Sequence, residues 1–101
     1  MSSPESKSWH FLTNHAQVLL CIERDPEARL RDIAETVGIT ERAAQRIVSD
    51  LVEAGYVTRE REGRRNRYAL DRSRRMRHPS QFSHGIGELL DALRLGEAAD
   101  D

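Results

Sequence analysis

Three rhythms of apolar spacing follow one another along this chain. Val18-Leu19-Leu20-Cys21-Ile22 is apolar at five consecutive positions. One face of an amphipathic helix cannot use all five, so the run predicts a helix covered on more than one side. Thr13 is a good N-cap for it, and Asp25-Pro26 marks its end near Arg24, since Pro disfavours helical geometry in the residue before it. A second helix is predicted over about 31–37, followed by Gly38, which can turn with positive φ. Thr40 caps a third helix over 41–54, with Glu41 near its positive end, and Gly55 stops it. Beyond Gly55 the period changes to two, which predicts strands over 56–61 and 66–70 joined by a connection of hairpin length at 62–65. Ile86, Leu89, Leu90 and Leu93 return to helical spacing and place a last helix over 83–95. The expected class is therefore mainly α with a small β-hairpin.

The segment Leu30–Ser49 carries the most specific pattern. Ile33, Val37, Ile39, Ala44 and Ile47 are apolar, Ala34 is small, and Gly38 sits at the turn. These positions suit two short helices crossing steeply through a tight turn, with Ala34 small because the second helix passes over it closely. Burying Ile39, Ala44, Ile47 and Leu51 turns Glu41, Arg42, Gln45, Arg46 and Ser49 outward. Arg and Gln carry the donors that match guanine and adenine edges in a major groove, and Thr40 and Ser49 can donate to phosphates. An ordinary solvated face, with Arg46 paired to Asp50, is the plainer reading. Against it, Arg42 and Arg46 are four apart, where like charges cost about 0.2–0.5 kcal/mol. A polyanionic partner explains that choice better.

Charge strengthens the point by its distribution. The net is −1, but residues 29–77 hold 13 Arg against 8 acids, whereas the remainder holds 3 Lys or Arg against 9 acids. Arg61, Arg64, Arg65 and Arg67 crowd the hairpin turn together with Asn66. Such a hairpin can set arginines beside phosphates or into an adjacent minor groove. Protection of a strand edge would be served as well by Lys or Glu.

Taken together, Leu30-Arg31-Asp32-Ile33-Ala34, Gly38-Ile39-Thr40, Leu51-Val52-Glu53-Ala54-Gly55-Tyr56-Val57 and Gly63-Arg64-Arg65-Asn66-Arg67-Tyr68 resemble a winged helix-turn-helix regulator of the MarR and ArsR-like families over about 12–70. The resemblance implies a homodimeric protein that regulates transcription by binding double-stranded DNA. Its third helix (40–54) would lie in the major groove, its basic wing (59–68) on the backbone, and helices outside the motif would form a two-fold dimer. It also implies a short strand at Leu30 beside the wing. The chain is shorter than a usual MarR protein and has no ArsR metal-binding cysteine motif, so ligand or metal sensing is not carried over.

The expected organisation is a flexible tail (1–10), a winged helix-turn-helix domain (11–72), a basic linker (73–82) and a C-terminal dimerisation helix (83–95). Val18, Ile22, Ile86, Leu89, Leu90 and Leu93 are the candidate dimer interface, because they offer more apolar surface than one small domain covers. Cys21 lies in the most apolar run, which suits a buried structural thiol. His10, His15, His78 and His84 match no zinc spacing, and no nucleophile–base pair or phosphate-cradling Gly loop is present, so no metal, cofactor or catalysis is expected. Trp9 and Phe11 are expected to cover the core. No run reaches the roughly 20 apolar residues needed to span a bilayer. A lone cysteine and a polar start suit the cytoplasm. The alternative from another class is a winged-helix module for protein–protein assembly, which would lack the basic recognition face.

Overall fold

The structure, a computed structural model, describes residues 9–99. The expected tail at 1–10 therefore lies almost wholly outside the described residues. Helix α1 (Asn14–Arg24) opens where Thr13 Oγ1 accepts the Ala16 N–H at 3.1 Å. It closes at Asp25, whose backbone is extended ahead of Pro26. Helix α2 (Leu30–Val37) ends at Gly38, which adopts φ 87° and donates its N–H to Ala34 O at 2.8 Å. A Cβ there would meet nothing within 4 Å, so the left-handed backbone, not crowding, selects glycine. Thr40 Oγ1 then accepts the Ala43 N–H at 3.0 Å and starts helix α3 (Glu41–Glu53). Ile33 and Ala34 of α2 and Ala44, Ile47, Val48 and Leu51 of α3 meet α1 in one core.

Helix α3 ends in a double turn-back. Tyr56 N–H donates to Leu51 O at 2.9 Å and Gly55 N–H to Val52 O at 3.1 Å, with Gly55 at φ 88°. This is the paired closure that a left-handed residue after a helix permits. It sends the chain straight into strand β1 (Val57–Glu62), which pairs antiparallel with β2 (Arg65–Leu70). The register sets Val57 opposite Leu70 and Glu62 opposite Arg65, leaving a two-residue turn at Gly63-Arg64. Gly63 has φ 63° and, among the described residues, no non-glycine residue has positive φ, which is the pattern of a II′-type hairpin turn. Buried Val57 and Tyr68 hold the hairpin base to the core. Leu30 opens α2 and forms no strand; the sheet has two strands, and Tyr68 N–H reaches Pro26 O at 2.9 Å in place of a third.

Past the hairpin the expected basic linker is a folded strap. Tyr56 Oη donates to Arg75 O at 2.5 Å, and Met76 N–H donates to His84 O at 3.0 Å. A short 3-10 turn at Pro79–Gln81 reverses the chain. Helix α4 (Ile86–Ala99) begins three residues later and ends four residues later than the periodicity suggested. Its first N–H groups are satisfied by the strap itself: Ile86 N–H donates to Arg74 O at 2.9 Å and Gly87 N–H to Arg72 O at 2.8 Å. A Cβ on Gly87 would sit 3.0 Å from that same Arg72 carbonyl, so glycine lets the two backbones approach. Arg72 reaches onward to Glu23 of α1 at 2.8 Å and to Asp91 of α4, while Arg94 also meets Glu23.

This strap corrects the expected dimer interface. Val18, Ile22, Ile86 and Leu90 are each no more than 4% exposed, and all belong to the core of a single chain. The segment expected to hold α4 away from α1 instead folds it back onto α1. Burying a side chain of this size is worth about 1.5–3 kcal/mol, ample to favour docking in the monomer. Only Leu89 and Leu93 of the candidate set remain half-exposed.

Candidate nucleic-acid interface

One long side of α3 faces solvent. Arg42, Gln45, Arg46 and Ser49 are exposed there, as are Thr40 and Glu41 at the helix start. From Arg42 to Ser49 is seven steps of helical rise, about 10 Å along the axis, close to the width of a major groove. Among the described residues Arg42, Gln45 and Arg46 take part in no hydrogen bond or ion pair. The i,i+4 pair between Arg46 and Asp50 does not form. Asp50 turns instead to His15 of α1, Nε2 to Oδ2 at 2.9 Å, which ties the far end of α3 to the core. Thr40 uses its hydroxyl oxygen as a cap acceptor, which leaves its hydrogen available to a phosphate.

The hairpin arginines divide into two kinds. Arg64 sits on the turn and has no partner among the described residues, and Arg61 Nε makes only a long 3.3 Å bond to Gly63 O. Arg65 and Arg67 are engaged elsewhere in the fold. Arg67 Nη1 donates to Glu27 Oε2 at 2.7 Å, and Arg65 Nη2 donates to Glu27 O at 2.9 Å. Across the hairpin, Glu60 stands opposite Arg67 and Glu62 opposite Arg65. Asn66 is half-buried opposite Arg61. Of the five candidate wing residues, Arg61 and Arg64 are thus the outward charges not engaged elsewhere in the fold.

Sequence reasoning passed over two further arginines. Arg59, opposite Tyr68 on β1, is exposed and unpaired among the described residues. Arg29, at the N-cap of α2, makes no side-chain cap bond and lines a crevice of about 300 Å³ with Arg64, Arg65 and Asn66. Nothing local signals that crevice, because its walls come from segments more than 30 residues apart in the chain.

Other candidates fall away from the site. Cys21 is half-buried, and burial pushes its thiol pKa up, with Arg24 pulling weakly the other way. His15, His78 and His84 bond to Asp50, Ser80 and Glu88 respectively, in three separate places. No three His, Cys, Asp or Glu side chains among the described residues are grouped to hold a metal ion. Trp9 and Phe11 do not cover the core: they are 64% and 93% exposed. No helix among the described residues is long and apolar enough to cross a membrane.

A turn-linked helix pair with an exposed Arg/Gln face, followed by a basic hairpin, is the arrangement of a winged helix. A model of the MarR family matches residues 11–67, more than half of the chain. The chain belongs to the MarR family. Among solved structures it is similar to MepR, a transcription regulator of the Staphylococcus aureus multidrug efflux pump MepA. The two share 14% identity at a TM-score of 0.50, over 88% of this chain. The chain spans 64% of the length of MepR, so the likeness concerns the fold. No curated protein matches the sequence. Of the two families the sequence resembles, MarR is thus the one supported. The matched segment of this MarR-family chain contains α1 to α3 and most of the wing; the strap and α4 lie beyond it.

Proposed function

We propose that this chain regulates transcription by binding double-stranded DNA in a sequence-dependent way. In this reading α3 enters the major groove and presents Arg42, Gln45 and Arg46 to base edges. Thr40 and Ser49 meet phosphates beside the groove, and Glu41 sets a negative charge at the helix start that disfavours a misplaced backbone. Arg61 and Arg64 place the wing on an adjacent phosphate or minor groove. Residues 11–72 form the DNA-reading unit, and the protein works as a homodimer without enzymatic activity, in the cytoplasm. The observation that carries the reading is the unpaired Arg42–Arg46 stripe on α3. Two arginines four apart repel each other weakly, and neither finds a partner among the described residues. A polyanion supplies the missing partner.

MepR, of the same fold, is a transcription regulator of an efflux pump, which agrees with the class of function proposed. A gel shift with a mixed-sequence duplex at two salt concentrations tests the reading. The expected result is retarded duplex whose affinity falls steeply with salt, as counterion release requires. Absence of binding at low salt would return the chain to a protein–protein assembly role.

A further inference from the structure

The crevice between the start of α2 and the wing turn gathers positive charge that its own walls do not neutralise. Arg29, at the N-cap of α2, lines it together with Arg64 and Arg65 of the hairpin, and Leu30 and Tyr68 form its apolar part. Glu27 is the one acid among the lining residues, and its carboxylate is taken at 2.7 Å by Arg67, which lies outside the lining. Arg65 gives Nη2 to the Glu27 carbonyl at 2.9 Å, a neutral acceptor that fixes the guanidinium without cancelling its charge. Arg29 and Arg64 take no partner among the described residues. Three arginines therefore share one crevice, and the only acid in its walls is already spent on a fourth. Segments more than 30 residues apart in the chain bring them together, so local helix or strand chemistry does not account for the cluster.

We propose that this crevice seats the sugar–phosphate backbone of the bound duplex, with Arg29 on the phosphate next to the one that Arg64 meets. The inference rests on the DNA binding of the proposed function and adds a residue of α2 to the surface that grips it. A guanidinium offers paired N–H donors that match two oxygens of one phosphate, which a point charge does not. Each strand of a duplex carries one phosphate charge per roughly 3.4 Å of axis, so two arginines lining one crevice meet consecutive charges. The volume of about 300 Å³ stands at the lower limit of small-molecule pockets, which suits a group of backbone atoms better than a whole effector. The two walls are also tied to each other. The Arg65 and Arg67 bonds to Glu27, with Tyr68 N–H on Pro26 O at 2.9 Å, hold the wing at a fixed distance from the start of α2. Little ordering is then required on binding. Contacts to phosphates carry no sequence information but fix register, so Arg29 is a positioning residue: it sets how deeply and at what angle α3 lies in the groove.

Duplex affinities of the full chain and of Arg29→Gln and Arg29→Lys, taken from 50 to 200 mM salt, test the contact. Arg29→Gln should lower the slope of log K against log salt by about 0.9, so that its deficit against wild type shrinks about 3.5-fold across that range. Arg29→Lys keeps the charge and should keep the slope. Circular dichroism and melting check that each variant is folded. Location is tested with the duplex that wild type selects from a random-sequence pool, made with one neutral methylphosphonate at each backbone position in turn. Wild type should bind more weakly when either of two neighbouring positions is neutral. Arg29→Gln should be indifferent to one of these, and Arg64→Ala to the other. An unchanged slope for Arg29→Gln, a slope that Lys does not restore, or the same methylphosphonate pattern as wild type overturns the proposal and leaves DNA recognition standing. So does inorganic phosphate that displaces duplex from wild type more strongly than chloride at equal ionic strength, but not from Arg29→Gln, which would make the crevice a site for a free anion. Absence of any duplex binding by wild type overturns both readings together.

Discussion

Arg67 of the wing reaches Glu27, 40 residues earlier in the chain, in an ion pair of 2.7 Å. Both side chains are about half exposed, so the pair itself contributes about 0–1 kcal/mol. Its consequence is chiefly geometric. With Arg65 on the Glu27 carbonyl and Tyr68 on the Pro26 carbonyl, it fixes the wing against the loop that leads into α2. Helix-turn-helix and wing are thereby held as one surface.

That pairing ranks the wing arginines in their effect on DNA. Arg64→Ala should lower the slope of log K against log salt by about 0.9 on duplex DNA, the loss of one phosphate contact. Arg67→Ala should leave the slope nearly unchanged, because Glu27 already neutralises it. Titration of both variants at four salt concentrations decides the order. Equal slopes for Arg64→Ala and wild type would show that the turn does not touch the backbone.

Cutting the strap from the core should destabilise the monomer. Leu90 is 1% exposed, and Leu90→Ala is expected to cost about 2–5 kcal/mol in urea unfolding. Leu89→Ala, at a half-exposed position, should cost markedly less. Similar costs would mean that α4 does not dock through the Leu90 side.

Gly55 carries two constraints at once. Its φ is 88°, and a Cβ there would stand 2.8 Å from the Arg74 guanidinium carbon. Gly55→Ala should therefore lower stability by about 1–2 kcal/mol from the left-handed backbone alone. A double variant with Arg74→Ala should recover only the smaller, steric part. Full recovery would assign the cost to crowding.

Cys21 should be slow to alkylate at pH 7. Burial raises its thiol pKa, so the reactive thiolate is scarcer than in a free cysteine. Iodoacetamide labelling followed by mass spectrometry, with and without denaturant, measures this. Labelling of the folded protein at the rate of free cysteine would contradict the assignment of Cys21 as a structural thiol.

The helix boundaries around Thr13, Gly38, Thr40 and Gly55 were legible in the sequence because each depends on local chemistry: a hydroxyl that caps, or a glycine that turns. The same holds for the outward face of α3, since burying Ala44, Ile47 and Leu51 leaves Arg42 and Arg46 no other direction. The strap was not legible. Its bonds run from Arg72 and Arg74 carbonyls to the first N–H groups of α4, and backbone groups leave no mark in composition. An arginine-rich run reads as solvated linker until Arg72 is seen between Glu23 and Asp91. The five-residue apolar run of α1 signalled a helix covered on several sides, and its cover is α2, α3 and β2 together with Ile86 and Leu90 of α4 from the same chain. For the same reason Glu27 could not be read as the partner of Arg65 and Arg67.

The central claim, that α3 reads bases through its unpaired arginines, is tested most directly by selecting duplexes from a random-sequence pool with wild type and with Arg46→Ala. Wild type is expected to enrich a defined half-site. Arg46→Ala should lose preference at one base pair of that half-site and about 1–3 kcal/mol of affinity on the wild-type sequence, with little loss on random DNA. An identical motif from both proteins, or equal losses on selected and random duplex, would contradict base reading by Arg46 and leave it a phosphate contact.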